Sequence, residues 1–365
     1  MVTRSQRMSL AVAAFAVLAV AASGPRAVGA APRGVASRGV AHAPTPGPTP
    51  FSVYVAGNRF SSSEPYTAVS IFNFGEGLSA QLLYENSRVY YTSAQLAVSN
   101  RYLYVYLGSY SSVPIRAYAL GSTSVAYELP YLSNGMITDS HDNLYVEVGS
   151  QILVFAPGAT APMRFLAAGL TSPGAMVVDG HDQLYVSNGS NVVVFKPGAL
   201  QPFETITDGI DGADRLAIGP KYRLYVYNGG NATITAYTDG QTSPAETITQ
   251  GLNGVNGIAL GPTGTLYVDN VTGGNVTEYD DGGTTVSRTV TPRLRFVQWI
   301  AVDADDELYV TGQQQSGPVY VYPSKQTQFS RREYTSTAGL YGMIVGPWWH
   351  AQQYPPYPPL LEPPF

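Results

Sequence analysis

The stretch DGHDQLYVSNGSNVVVFKPGA, residues 179–199, decides how the rest of the chain is read. A triplet, Leu184-Tyr185-Val186, sits between a His-Asp turn and a Gly/Asn/Ser turn, and an apolar run follows. Leu-Tyr-Val recurs at Leu103, Leu144, Leu184, Leu224, Leu266 and Leu308, at spacings of 41, 40, 40, 42 and 42 residues. From the second copy on, a short apolar segment ending in Asp or Gly precedes the triplet: GMITD, AMVVD, RLAIG, GIALG and WIAVD. A turn and a second apolar run follow it, such as NVVVF or ATITAY, and a fourth segment, FETIT or AETIT, completes the unit. Four short strands in such a period make one blade of a β-propeller. Runs such as VVVF, where clean alternation would mark a half-exposed strand, fit sheets covered on both faces by like sheets.

The two ends of the chain set the expected blade count. Six complete copies span about 94–335, and FSVYVAGN (51–58), AVSIFNF (68–74) and SAQLLYE (79–85) precede them as three further strands. GLYGMIVGP (339–347) matches the first strand of a unit but runs on into WWHAQQY with no Leu-Tyr-Val after it. The expectation is an all-β, seven-bladed β-propeller over residues 51–347, its last blade closed by N-terminal strands pairing with a C-terminal strand. A six-bladed ring with stray terminal strands is the alternative.

Outside the repeat, Met1–Arg7 is basic and Leu10–Ala22 is an unbroken apolar run, followed by small-residue cleavage patterns. Residues 1–30 read as a secretory signal peptide, with an uncleaved anchor as the alternative reading. Residues 31–50 read as a Pro-rich linker and 348–365 as a Pro/aromatic tail. The expected location is secreted, periplasmic or at the cell surface, with no stable membrane span after cleavage. A net charge of -5 gives no footprint for nucleic acid. The absence of cysteine excludes disulfides, thiolate metal sites and a Cys nucleophile. We expect a monomer.

GIALGPTGTLYVDNVTGGNVTEY (257–279) resembles the NHL-repeat type of propeller. VFAPGATAPMRFLAAGL (154–170) and VFKPGALQPFETITDGI (194–210) look like a group of secreted bacterial propellers of that kind. The resemblance implies fold far more than function, because propellers host lyases, lactonases, receptors and scaffolds.

Candidate chemistry divides between the two faces. His181-Asp182 recurs as His141-Asp142, and the same slot carries Asp305-Asp306, Tyr222-Arg223 and Gly264-Thr265. That variability marks a tight turn, whereas a two-blade metal or acid/base site would restrict the slot to ligating or titrating side chains. Counting back from each Leu-Tyr-Val places Asn134, Gly174, Asp214, Asn256, Gln298 and Tyr341 at equivalent positions, with Gln95 close to them, at one mouth of the central channel. Asn134, Asp214, Asn256, Gln298 and Tyr341 are the candidate ligand-binding residues. No catalytic residue and no cofactor stand out, and the expected role is a non-enzymatic binding or scaffold module for an unidentified protein or glycan. The alternative is a metal-dependent lactonase-type or lyase-type enzyme, in which Asp214, Asn256 and Asn134 would converge on a divalent cation. The four N-x-Ser/Thr sequons, at Asn188, Asn231, Asn270 and Asn275, are expected near exposed turns.

Overall fold

Val192 to Phe195 have all four side chains buried, and they alternate between two cores. Val193 and Phe195 pack toward one neighbouring sheet; Val192 and Val194 pack toward the other. A strand has a period of two, so an uninterrupted apolar run feeds both faces of its sheet. Each such side chain contributes on the order of 2 kcal/mol by leaving water.

The computed structural model describes residues 52–60, 65–73, 82–85, 93–108, 114–294, 296–312, 318–334 and 338–346. The segments read as signal peptide, linker and tail lie outside these residues, as does most of the loop at 311–318. The N-terminal strands are β1 (Ser52–Phe60), β2 (Pro65–Asn73) and β3 (Leu82–Glu85). Blade 1 comprises β4 (Ser93–Val98), β5 (Tyr102–Gly108), β6 (Ile115–Ala119) and β7 (Val125–Leu129). Blade 2 comprises β8 (Gly135–Thr138), β9 (Leu144–Val148), β10 (Gln151–Phe155) and β11 (Arg164–Leu166). Blade 3 comprises β12 (Pro173–Val178), β13 (Leu184–Asn188), β14 (Val192–Phe195) and β15 (Glu204–Ile206). Blade 4 comprises β16 (Ala213–Ile218), β17 (Leu224–Asn228), β18 (Thr233–Tyr237) and β19 (Glu246–Ile248). Blade 5 comprises β20 (Val255–Leu260), β21 (Leu266–Asn270), β22 (Asn275–Tyr279) and β23 (Arg288–Val290). Blade 6 comprises β24 (Trp299–Val302), β25 (Leu308–Thr311), β26 (Pro318–Tyr322) and β27 (Arg331–Tyr334), and β28 (Ala338–Gly346) follows it.

The expected seven-bladed ring therefore resolves into two parts. The repeat itself makes six blades of four consecutive antiparallel strands each. The remaining four strands make a composite sheet in the order β28-β1-β2-β3, joining the two ends of the chain. β28 pairs with β1 from Ser52↔Gly346 to Asn58↔Ala338, with register breaks at Ala56/Gly57 and Gly57/Asn58. The first strands lie side by side around the axis: β4 beside β8, then β12, β16, β20 and β24 in turn, with β28 between β24 and β4. The terminal strands are thus hydrogen-bonded into the ring. Of β1–β3 and β28 the backbone alone is described.

The core lies between blades. Tyr104, Tyr145, Tyr185, Tyr225, Tyr267 and Tyr309, the tyrosines of the repeated triplet, are all buried. Each pairs with a small or aliphatic residue of its blade's first strand: Ala97, Ile137, Val177, Ala217, Ala259 and Ala301. Among the described residues no helix is long and apolar enough to cross a membrane.

Candidate functional site at the channel mouth

Two faces bear polar side chains in repeat register, and their geometry differs. On the turn face, Asp139, Asp179 and Asp303 directly follow their first strands, and each carboxylate closes a turn. In Asp179, Oδ1 accepts the amides of His181 and Gln183, both at 2.8 Å, and Oδ2 accepts Tyr185 Oη at 3.3 Å. Asp139 and Asp303 make the same bonds to His141 and Asn143, and to Asp305 and Glu307.

Three residues on, the chain takes a left-handed conformation at Asp142 (φ 64°), Asp182 (φ 58°), Tyr222 (φ 56°), Gly264 (φ 90°) and Asp306 (φ 61°). Asp and Gly tolerate that region better than most residues. The equivalence shifts the sequence alignment by one residue, because Tyr222 and Gly264 match Asp182 and not His181. The second aspartate also ties blades together. Asp142 accepts the Asn100 amide at 2.6 Å, and Asp182 accepts Ser140 N at 2.9 Å and Ser140 Oγ at 2.6 Å. Asp306 accepts Tyr267 Oη at 3.1 Å. His141 Nδ1 stands 2.9 Å from Asp182 Oδ2, and the His181 ring stacks on Tyr222 with centroids 4.1 Å apart.

Asp139, His141 and Asp182 could each offer one ligand atom to a cation, these atoms lying within 4.8 Å of one another. The carboxylate oxygens, however, already accept backbone, hydroxyl and amide donors. A cation there would displace bonds that hold the turns, so the trio works as a latch between blades 2 and 3.

At the channel mouth the first strands begin, and β-bulges interrupt their pairing around Gly174, Asp214 and Asn256. A bulge re-aims a side chain, which turns these positions toward their neighbours. Asp214 binds Arg215 Nη1 at 2.6 Å while its side chain stays 51% exposed. Arg215 Nε donates to the Asn256 carbonyl at 2.6 Å, bridging blade 4 to blade 5. Asn256 Nδ2 donates to the Gln298 carbonyl at 2.5 Å, bridging blade 5 to blade 6. Asn134 is exposed, and its Nδ2 reaches Glu147 Oε1 at 3.3 Å. Ser133 Oγ donates to Gln95 Oε1 at 2.7 Å, bridging blade 2 to blade 1. Tyr341 lies in β28, where the backbone alone is described. Asp214, Asn256 and Asn134 each hold a different partner.

The structure adds two residues that sequence reading passed over. Glu147 and Asp269 follow the repeated triplet in blades 2 and 5 and are buried at 3% and 0% exposure. Each pairs across its sheet with a glycine, Gly135 or Gly257. A Cβ on Gly135 would stand 3.3 Å from Glu147 Oε2, and one on Gly257 3.0 Å from Asp269 Oδ2. The glycines leave the space these carboxyls occupy. Burial pushes both carboxyls up to about 7, against hydrogen bonds from Asn134 and Asn256 that hold them down. Asp269 accepts the Asn256 and Gly257 amides at 3.0 and 2.9 Å.

Another repeat feature, the Asn closing Leu-Tyr-Val-x-Asn, proves to be a staple. Asn188, Asn228 and Asn270 are buried, and their amides bridge the loop entering the first strand. Asn270 accepts the Asn253 amide at 2.8 Å and donates to Gly251 O, Asn275 Oδ1 and Thr277 Oγ1 at 3.0–3.1 Å. The sequons lie next to turns, but their side chains differ in exposure: Asn188 and Asn270 are buried, while Asn231 is exposed. No protein-family model matches the chain, and a search of curated proteins finds no match.

Proposed function

We propose that the protein is an exported, non-enzymatic β-propeller of NHL-like type that holds a ligand at the channel mouth formed by Asn134, Asp214, Asn256 and Gln298. The propeller fold is consistent with a binding or scaffold module, and the basic and apolar N-terminus supports export. One observation carries the choice of face. Among the described residues, six buried side-chain polar atoms lack a hydrogen-bond partner, and three of them belong to Glu278 and Arg288, which pair with each other. Of the other three, Glu147 Oε2 and Gln298 Oε1 lie at the level where the first strands begin, and Trp299 Nε1 belongs to a ring packed in the interior. Native proteins rarely leave such atoms unmatched, so the two at the start of the first strands favour that face over the turn face. The turn-face aspartates have no such vacancy among their oxygens.

A ligand-observed NMR screen of polar metabolites, short oligosaccharides and Ca²⁺, Mg²⁺ and Zn²⁺ tests this reading on the full chain. Binding that weakens at least tenfold in Asp214→Asn supports it. Hits indifferent to that change, or hits converted to product during the screen, would sink it.

A further inference from the structure

Three blades carry an arginine at the start of the fourth strand: Arg164, Arg288 and Arg331. Each stands across the sheet from the residue that pairs with the triplet tyrosine, namely Val154, Glu278 or Val321. Two of these arginines hold a carboxylate. Arg288 pairs with Glu278, and Arg331 pairs with Glu307 at 2.8 Å. Arg164 has valine in the place of Glu278 and Asn143 in the place of Glu307, the latter two closing equivalent turns on Asp139 and Asp303. Among the described residues the Arg164 guanidinium makes no ion pair and no hydrogen bond.

The clefts that Arg164 and Arg288 face are otherwise built alike. Arg288 Nη1 reaches the carbonyls of Pro323 and Gln326 in the β26–β27 hairpin of the next blade. Arg164 lies against the corresponding β14–β15 hairpin, its Nη1 3.2 Å from where a Gly198 Cβ would stand. Tyr145 feels the charges of Arg164 and Asp182 as Tyr267 feels those of Arg288 and Asp306. The first cleft lacks only the carboxylate. It holds instead a cavity of about 220 Å³, counting its open side, lined by Tyr145, Val154, Arg164, Asp182, Lys196 and Gly198. The inner end has room for roughly one water-sized atom, which is the size of one carboxylate oxygen. Lys196 and Gly198 are exposed, so solvent reaches the cavity at the outer wall of the ring, where the fourth strands lie.

We propose that the cleft between blades 2 and 3 binds a monocarboxylate, seated against Arg164 as the Glu278 carboxylate is seated against Arg288. The planar fork of a guanidinium matches the two oxygens of a carboxylate, and Lys196 adds a second positive charge at the rim. Asp182 also lines the cavity, but its oxygens already accept Ser140 N and Oγ and stand beside His141. The sister cleft carries the same neighbour, since Asp306 acts on Glu278 there, and still holds its carboxylate. A doubly charged phosphate would meet more repulsion from Asp182 than a monoanion does. The site is separate from the channel mouth and does not depend on it.

Ligand-observed NMR titration of the full chain with acetate and with N-acetyl-alanyl-alanine tests it, alongside acetamide and inorganic phosphate. The expected result is that one or both carboxylates bind about tenfold or more tighter than acetamide. The tighter of the two identifies the source as a small free acid or a peptide C-terminus. Arg164→Gln, checked for an unchanged circular-dichroism melt, should abolish that binding. Val154→Glu rebuilds the sister cleft and should abolish it too, by supplying the carboxylate from within. If Val154→Glu loses its cooperative melt, Arg164→Gln alone decides. Equal binding of acetamide, preference for phosphate, carboxylate affinity untouched by Arg164→Gln, or no carboxylate binding at all overturns the proposal. A carboxylate that responds to Arg164→Gln and not to Asp214→Asn reports this cleft, and it counts neither for nor against the mouth.

Discussion

Replacing Glu147 by glutamine should stabilise the protein at alkaline pH and do almost nothing in acid. Burial lifts this carboxyl to about 7 in the folded chain, against an ordinary value of 4.5. The folded state therefore holds the proton more tightly than the unfolded state. Its contribution to stability is fully present below pH 4.5 and is lost as pH rises through 7. From those two values the loss amounts to about 3 kcal/mol by pH 8. Glutamine keeps the oxygen that accepts Asn134 Nδ2 and carries no charge to desolvate. Its amide nitrogen would occupy the place of the unpartnered Oε2, beside the spot where a Gly135 Cβ would lie 3.8 Å from the Gly174 carbonyl. Thermal melts from pH 4 to pH 8 give the answer, since a shift of this size raises Tm by roughly 6 °C at pH 8 in a domain of this length. At pH 4 the two proteins should melt together. A variant that melts no higher than the parent at pH 8, or whose advantage is the same at both pH values, would refute the view that burial of Glu147 outweighs its hydrogen bond from Asn134.

Other perturbations report on the repeat. Asn270→Ala removes bonds to Asn253, Gly251, Asn275 and Thr277, and should lower stability by about 2–4 kcal/mol, read as a lower urea midpoint. Asp182→Ala strips the acceptor of Ser140 N and Oγ and puts alanine at φ 58°, so a loss of about 2–3 kcal/mol is expected, with Asp182→Asn losing less. Gly251→Ala would place a Cβ 2.5 Å from Tyr279 Oη and Val286 Cγ2 at φ +74°, and should cost about 2 kcal/mol or more, visible as a fall in Tm.

Much of the fold is legible in the sequence because its fixed positions are fixed by burial. The Leu-Tyr-Val triplet, the VVVF run and the Asp or Gly ending each first strand recur since every blade must present two apolar faces and one tight turn. The His-Asp pair at 181–182 is explained by the same logic, its aspartate supplying a left-handed turn residue and an inter-blade acceptor. Pairing of the chain ends was legible as three strands before the first copy and one after the last, while the register breaks at Ala56/Gly57 and Gly57/Asn58 leave no local pattern.

Where the first strands begin was legible in the sequence; what their first side chains bind was not. Counting from the triplet located Asn134, Asp214, Asn256 and Gln298, yet it could not say that Asn256 would hook the next blade or that Asp214 would hold Arg215. Bulges near Gly174, Asp214 and Asn256 turn those side chains, and a bulge has no signature in a single sequence. Glu147 and Asp269 did leave a trace: a carboxylate directly after Leu-Tyr-Val, opposite a glycine on the preceding strand. The same comparison separates Asn188 and Asn270 from true surface sequons, since both close the triplet strand in register with Asn228.

The central claim is that the mouth binds and the turn face only holds the ring together. Ligand-observed NMR with the best-bound probe, run in parallel on the parent, Asp214→Asn and His141→Ala, tests it most directly. Saturation transfer should vanish or fall at least tenfold in Asp214→Asn and persist unchanged in His141→Ala. Transfer that survives in Asp214→Asn and disappears in His141→Ala would place the site on the opposite face and contradict the account.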